Sequence, residues 1–157
     1  MFGLQAQDER GFFMLPQAPE DAGYYVYGTP GKGAAQYSHP ALLSVVFWVE
    51  REWQATDQRK FGVGNISKAN GPPFKPHHSH QNGLQVDVRA VRRDGERIGV
   101  RWQDAGYDRD ATARLIESFR SHPSVMKVYF NDLEIHGVFP LHGHDNHFHV
   151  EVRTGAL

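Results

Sequence analysis

The sequence predicts an α+β fold, with a small antiparallel sheet flanked by two helices. Apolar residues recur at helical spacing in 40–54 and 108–121, whereas 84–91 and 146–153 alternate apolar and polar residues as strands do. The chain has 157 residues, of which 39% are hydrophobic and 22% charged. This length suits one hydrophobic core and is too short for two.

The chain is predicted to begin with a loosely ordered N-terminal segment, residues 1–19, followed by a single domain over 20–157. A short strand is expected at 23–27. The glycine-rich stretch 28–33 that follows it lacks the Lys-Ser/Thr ending of a phosphate-binding loop, so it predicts a turn.

The first helix is predicted over 40–54, where Pro40 suits the first turn. Its apolar stripe is Leu42, Val45, Val46, Val49 and Trp53. A short strand at 61–66 comes next, and the Gly-Pro-Pro sequence at 71–73 interrupts regular structure before the first group of histidines.

After the strand at 84–91, the sequence predicts three further strands and a helix. Asp94-Gly95 favours a hairpin turn into a strand at 96–102. The second helix, 108–121, begins with aspartates that can cap it, and strands are expected at 126–130 and 146–153.

Charge and composition exclude several classes of protein. The 17 basic and 18 acidic side chains nearly balance, which argues against a nucleic-acid partner. No stretch reaches the length of a membrane span, and the most apolar window, 41–49, ends in Glu-Arg-Glu. The absence of cysteine excludes disulfides and thiolate metal sites.

Six of the ten histidines lie in two short segments, 77–87 (HHSHQNGLQVD) and 144–149 (HDNHFH). In a strand, His147, His149 and Glu151 face one way, so two imidazoles about 7 Å apart along the backbone can converge on one ion. Asp87 lies on the polar face of another strand, and a turn can fold His80 back beside it.

Two imidazoles and one carboxylate, with a position left open, are a common way to bind a zinc ion that activates water. Four candidate ligands are present, namely His80, Asp87, His147 and His149, whereas such an ion needs three from the protein. One histidine of the HxH pair can therefore serve as a base beside the metal, and spacing does not decide which one. No HExxH motif is present. The isolated histidines His39, His122 and His136 are expected to be cap, turn or surface residues.

The motifs Ser79-His80-Gln81-x-Gly83-x-x-x-Asp87 and Gly143-His144-x-x-His147-x-His149-Val150 resemble those of the penicillin-insensitive murein endopeptidases. These belong to a wider set of zinc peptidases that includes lysostaphin and the D-Ala-D-Ala peptidases, and whose fold is also seen in hedgehog signalling domains. The resemblance extends over about residues 20–153.

The resemblance implies a role for each matching position. His80, Asp87 and His149 would hold one zinc ion per chain. His147 would act as the catalytic base and His144 as a further active-site histidine. His77 would lie behind the ligands or at the edge of the cleft. The implied reaction is hydrolysis of D-Ala-type cross-links in peptidoglycan, that is, D,D-endopeptidase activity.

The sequence departs from the family in one position near the site, because Gln85 stands where an aspartate is common. Three alternatives to the D,D-endopeptidase stay open: a D,D-carboxypeptidase or dipeptidase, an L,D-endopeptidase on stem peptides, and a non-catalytic zinc-containing binding domain. Carboxypeptidase relatives have a glutamate three residues before the last ligand, where this chain has Asn146.

The resemblance places the activity in the periplasm or on the cell wall. The N-terminal residues lack the basic start and apolar run of a secretory signal. An excised domain, a phage lysin or a secreted effector would each fit, and a secreted effector would have an immunity or inhibitor protein as partner. The sequence makes no prediction about oligomeric state.

Overall fold

A computed structural model describes residues 6–154 of the chain. Over these residues the regular elements are, in chain order, β1 (Phe13–Met14), β2 (Tyr24–Val26), β3 (Tyr37–Ser38), α1 (Pro40–Gln54), β4 (Phe61–Val63), β5 (Gln85–Arg89), α2 (Arg109–Ser121), β6 (Val125–Tyr129) and β7 (His147–Val152). The predicted α+β class is confirmed.

The main sheet has five strands in the order β2-β4-β5-β7-β6. Three of its pairs, β4–β5, β5–β7 and β6–β7, are antiparallel, as predicted. The β2–β4 pair is parallel, because α1 lies between these strands in the chain and returns it in the same direction. The two short strands β1 and β3, which the sequence pattern did not predict, pair with each other in a second sheet.

Both predicted helices are present. α1 has the predicted bounds, with Pro40 in its first turn, and Nδ1 of His39 caps it by accepting a hydrogen bond from the Ala41 backbone N–H at 3.0 Å. α2 begins one residue later than predicted because Asp108 is its N-cap and accepts from the Ala111 N–H at 3.0 Å. Neither helix within residues 6–154 has the length and apolar content needed to cross a bilayer.

The hydrophobic core lies between the helices and one face of the main sheet. Phe148 of β7 is fully buried, with its ring centre 5.8 Å from that of Phe119 in α2 and 6.3 Å from that of Phe130. Val86 and Val88 of β5 are also fully buried. The residues that alternate with these side chains therefore face away from the core.

The residues of the N-terminal segment from 6 onwards make specific contacts with the rest of the chain. Leu15 is fully buried. The guanidinium of Arg10 binds the Asp8 carboxylate at 2.7 Å and donates to the backbone oxygens of Lys68 at 3.1 Å and Gln81 at 2.5 Å. Residues 1–5 and 155–157 lie outside the described range, and the division into a segment 1–19 and a domain 20–157 stays a prediction.

The strand predicted at 96–102 is wrong. The chain turns at Asp94-Gly95, but β5 lies between β4 and β7, so both of its edges are already paired and no strand can add to it. The Asp94 carboxylate instead accepts hydrogen bonds from the Arg92 guanidinium at 2.6 and 2.9 Å and from the Glu96 N–H at 2.9 Å.

The pairing of β5 with β7 fixes the polar face of the sheet. Three pairs of directly opposed residues lie on this face: Gln85 and Glu151, Asp87 and His149, and Arg89 and His147. The alternation predicted for the two strands is thus confirmed, and it brings the two sequence motifs into one row of side chains.

Candidate metal centre

A cleft of about 610 Å³ opens over the polar face of the sheet. Its lining comes from both histidine-rich segments and the strands beneath them: Pro76, His77, His78, Ser79, His80, Asp87, Tyr129, Leu141, His142, Gly143, His144, His147, His149 and Glu151. All six site residues predicted from the sequence lie in this cleft.

Asp87 is the centre of the site. Its Oδ1 lies 3.2 Å from Nε2 of His80, 3.1 Å from Nδ1 of His149 and 3.9 Å from Nε2 of His147. Ligand atoms bound tetrahedrally to zinc at about 2.0–2.1 Å are roughly 3.3 Å from one another. The distances from Oδ1 of Asp87 to His80 and to His149 are therefore each close to the spacing between two ligands of one zinc ion.

Two overlapping groups of donor atoms, each within 4.8 Å of one another, are present among the described residues. One contains His77, His80 and Asp87, and the other contains Asp87, His144 and His147. Both groups include Asp87, so all of these donors converge on one carboxylate.

His80 is held in an unusual backbone conformation, with φ of 63° in the left-handed region that non-glycine residues rarely adopt. Two contacts stabilise it there. Nδ1 of its ring donates to the backbone oxygen of Ile66 at 3.0 Å, and its backbone N–H donates to Oε1 of Gln85 at 2.9 Å. Although Gln85 stands where an aspartate is common in the family, its side chain still contacts the backbone of His80.

The hydrogen bond to Ile66 fixes which nitrogen of His80 faces Asp87. Because a carbonyl oxygen only accepts, Nδ1 carries a proton, and Nε2 faces Oδ1 of Asp87 at 3.2 Å. A proton or a metal ion between these two atoms would satisfy both of them. Neither of the two donor groups contains His149, whose Nδ1 lies 3.1 Å from the same carboxylate oxygen.

His149 is buried between Asp87 and Glu151. Its Nδ1 faces the Asp87 carboxylate, and its Nε2 lies 3.7 Å from Oε1 of Glu151. A carboxylate on the far side of a ligating imidazole favours the tautomer in which the other nitrogen is free to bind metal. At 3.7 Å, however, Glu151 is too far from His149 for a hydrogen bond and places only its charge beside the ring.

His147 and His144 each have one ring nitrogen engaged and the other available. Nδ1 of His147 lies 2.8 Å from Oδ1 of Asn146, and Nδ1 of His144 lies 3.0 Å from the backbone oxygen of His142. In both cases the oxygen accepts the Nδ1 proton, which leaves Nε2 without a hydrogen bond to either oxygen. The two rings are 4.7 Å apart between centres.

Burial shifts the pKa of two groups in the site. Burial lowers the pKa of His147 to about 4, against the opposing effect of Asp87, so its ring is neutral near pH 7. For Asp87, burial acts to raise the pKa, but the hydrogen bonds with His149 and His80 outweigh it and hold the pKa far below the usual value. Asp87 is therefore an ionised carboxylate.

His77 lies behind His80, with their ring centres 4.9 Å apart. Its Nε2 accepts from Nδ2 of Asn65 at 3.3 Å, and Oδ1 of Asn65 in turn accepts from the Thr29 N–H at 2.8 Å. Burial, followed by the charge of His80, lowers the pKa of His77. The structure thus places His77 in a hydrogen-bonded position at the edge of the cleft.

The isolated histidines lie away from the cleft, as predicted. His39 caps α1, His122 lies at the end of α2, and His136 is exposed. Sequence reasoning missed the supporting role of Asn65 and Asn146. No periodic pattern marks Asn65, whereas Asn146 could have been found as the polar residue next to the HxH strand.

Imidazoles and a carboxylate that meet at one point, with free imidazole nitrogens beside them in an open cleft, define a candidate metal centre of the hydrolytic class. The chain itself belongs to the penicillin-insensitive murein endopeptidase family, whose sequence profile matches residues 17–118. The matched range includes His77, His80 and Asp87 and ends before β7.

A protein of Haemophilus influenzae described as "Penicillin-insensitive murein endopeptidase" is 23% identical to this chain over 155 residues. The aligned region covers 76% of this chain and 52% of that relative. The chain thus spans about half the length of the curated relative that it matches.

Proposed function

We propose that this protein is a zinc-dependent hydrolase that cleaves D-Ala-type peptide cross-links in peptidoglycan, that is, a D,D-endopeptidase. One observation carries the proposal: donor atoms of His80 and His149 lie within 3.2 Å of Oδ1 of Asp87, with Nε2 of His147 at 3.9 Å from the same oxygen. A site that only binds a structural metal has no need of the free imidazole.

His80, Asp87 and His149 would hold one zinc ion per chain. When bound, zinc supplies Lewis acidity, which lowers the pKa of a water molecule and polarises a carbonyl group. Asp87 supplies the anionic oxygen, and the hydrogen bond from His80 to Ile66 keeps that imidazole in the required tautomer.

His147 would act as the general base. Its ring is neutral near pH 7 because burial lowers its pKa, and its Nδ1 proton is held by Asn146, so Nε2 is the atom that accepts a proton from the attacking water. The same atom would deliver that proton to the nitrogen of the leaving amine. Asn146 is thus a positioning residue for this transfer.

His144 would assist from the rim of the cleft. With Nδ1 bound to the His142 carbonyl, Nε2 is the atom that would face the carbonyl oxygen as negative charge develops. The short distance between the His144 and His147 rings places both imidazoles within reach of one peptide bond.

Family membership supports peptidoglycan as the substrate class, and the open cleft has room for a peptide. We further propose that residues 20–157 form a single zinc peptidase domain that acts in the periplasm or on the cell wall. An immunity or inhibitor protein is expected if the chain is delivered to a target cell as an effector.

Two substitutions test the assignment of roles. We expect Asp87→Ala to lose zinc and activity together, because it removes the carboxylate shared by all the donors. His147→Ala should retain stoichiometric zinc and lose about 100-fold or more in kcat, which is typical for a general base. Metal content by atomic absorption and cleavage of a purified cross-linked muropeptide dimer are the two measurements, and thermal unfolding checks that both variants fold.

The bond that is cleaved is identified by mass spectrometry of the products. A D,D-endopeptidase converts the dimer into two monomers, whereas a carboxypeptidase releases a terminal D-alanine and leaves the dimer linked. A zinc-loaded, folded protein that leaves the dimer intact would favour the binding-domain alternative. An active His147→Ala protein with bound zinc would overturn the role given to His147.

A further inference from the structure

A second pocket, of about 260 Å³, adjoins the cleft on the side away from Glu151. Its lining residues are Tyr27, Asn65, His77, Asp87, Arg89, Asn146 and His147. Three of these, His77, Asp87 and His147, also line the cleft. A substrate bound at the metal centre is therefore in direct reach of this pocket.

Arg89 supplies the positive charge of the pocket. It lies two residues after Asp87 on β5 and opposite His147 on β7. Its guanidinium makes one long hydrogen bond, 3.3 Å to the backbone oxygen of Arg97, and within residues 6–154 it has no acidic partner. Most of its N–H donors are thus available to a ligand.

The guanidinium of Arg89 is already oriented. Its central carbon lies 4.0 Å from the ring centre of Tyr27, which is a cation–π contact that restricts the side chain. Gly64 permits this arrangement, because a Cβ at that position would come within 2.7 Å of the Tyr27 ring atoms. An arginine that is ordered before binding loses less entropy when a ligand arrives.

The pocket has other unused donors. The hydroxyl oxygen of Tyr27 is buried and has no hydrogen-bond partner among the described residues. A buried hydroxyl without a partner is costly and indicates a missing ligand or water. Asn146 uses its Oδ1 for His147, which leaves its Nδ2 group as a further donor.

Apart from Asp87, which belongs to the metal centre, the pocket holds one cation, the unpartnered hydroxyl of Tyr27 and the free amide group of Asn146, beside Asn65, His77 and His147. Such a combination suits a ligand group with a single negative charge and two acceptor oxygens, which is a carboxylate. The polar face of the sheet thus carries the acid Glu151 at one end and the base Arg89 at the other, roughly 13 Å apart along β5.

We propose that Arg89, with Tyr27 and Asn146, forms a subsite that binds a free carboxylate next to the scissile amide, on the amine side of that bond. This inference rests on the proposed function. In a cross-link between D-alanine and diaminopimelate, the carboxyl group of D-alanine is consumed in the amide. The carbon that bears the acylated amine of diaminopimelate, by contrast, keeps a free carboxyl group. Arg89 would therefore select substrates by this group.

The test compares two cross-linked dimers that differ only in whether this group is a carboxylate or a carboxamide. For the zinc-loaded wild-type protein we expect kcat/KM to be roughly 10- to 100-fold higher for the carboxylate, the range of a charge-assisted hydrogen bond. Arg89→Gln should lose this preference, so that the two dimers are cleaved with similar kcat/KM. Arg89→Lys should restore the preference in part.

Arg97→Gln is the matched control, because it removes an equal charge at an exposed position outside the pocket and leaves the backbone oxygen that Arg89 contacts in place. It should retain the full preference for the carboxylate. Equal rates for the two dimers with the wild-type protein, or an unchanged preference in Arg89→Gln, would overturn the subsite.

A binding measurement separates this inference from the proposed function. Calorimetry of the zinc-loaded protein with the amine-side monomer, as the free acid and as the carboxamide, should show roughly 10- to 100-fold tighter binding of the acid by wild type and no difference with Arg89→Gln. If neither dimer is cleaved, the proposed function fails, and the ratio of the two affinities still decides whether the subsite exists.

Discussion

The two histidine-rich segments reach the same site by different physical means. His147 and His149 lie on β7, a regular strand whose pairing with β5 and β6 sets the direction of every side chain. His77 and His80 lie in a stretch without helix or strand, where tertiary contacts hold them in place. We call these the strand half and the loop half of the site, the latter being residues 77–83.

The difference lies in what would have to break to disturb each half. The strand half lies on a paired strand whose other face packs in the hydrophobic core. Its geometry therefore persists as long as the protein is folded. The loop half depends on individual side chains, including Gln85 at the His80 N–H and Arg10 at the Gln81 carbonyl. Substitutions in the two halves should therefore separate effects on folding from effects on metal affinity.

The largest effect is expected from Phe148→Ala in the strand half. Phe148 is fully buried between His147 and His149 in the chain and packs against Phe119, so the substitution should lower the free energy of unfolding by about 3–5 kcal/mol. Urea denaturation measures this change. Phe139→Ala, at a side chain that is 48% exposed, should cost under about 1 kcal/mol; similar losses for both would contradict the comparison.

A smaller and more selective effect is expected from Gln85→Ala, which removes a β5 side chain that supports the loop half. Loss of the acceptor for the His80 N–H frees a backbone held at positive φ, so zinc affinity should fall roughly 10-fold while the free energy of unfolding changes by about 1 kcal/mol or less. Competition with a chromophoric chelator measures the affinity. Gln81→Ala, at an exposed neighbouring side chain, should bind zinc like the wild type.

The smallest effect is expected from Glu151→Gln in the strand half. This substitution tests whether a neighbouring side chain, in addition to the strand itself, is needed to orient His149. Glu151 lies 3.7 Å from His149, farther than a hydrogen bond, and the strand already fixes the ring. Zinc affinity should therefore fall by about fivefold at most. Glu96→Gln, an exposed acid remote from the site, controls for the change in net charge. A loss as large as that of Gln85→Ala would show that the strand does not suffice to orient His149.

The same contrast explains which features could be predicted from the sequence. Alternation placed Asp87 and His149 on polar faces, and the pairing of these two residues across β5 and β7 confirms it. The turn that brings His80 beside Asp87 was also predicted and is confirmed by their 3.2 Å contact. Periodic patterns report local backbone geometry, and the positions of His80, Asp87 and His149 follow from local geometry.

The remaining features depend on contacts between distant segments, which leave no local pattern. The bond between Asn65 and His77 joins residues 12 apart, and the contact of Arg89 with Tyr27 joins β5 to the residue after β2. The strand predicted at 96–102 failed for a related reason, since only the topology shows that both edges of β5 are occupied. Alternation along β5 puts Arg89 on the same face as Asp87 but gives no sign of the pocket.

The metal centre forms only when β5 pairs with β7 in this register. A slip of one residue would turn Val86 and Val88 outward and drive Asp87 into the apolar interior. In an incompletely folded chain every histidine is therefore present, but the histidines do not come together at one site. For a protein proposed to cleave peptidoglycan, this coupling means that the metal centre depends on the same strand register as the hydrophobic core.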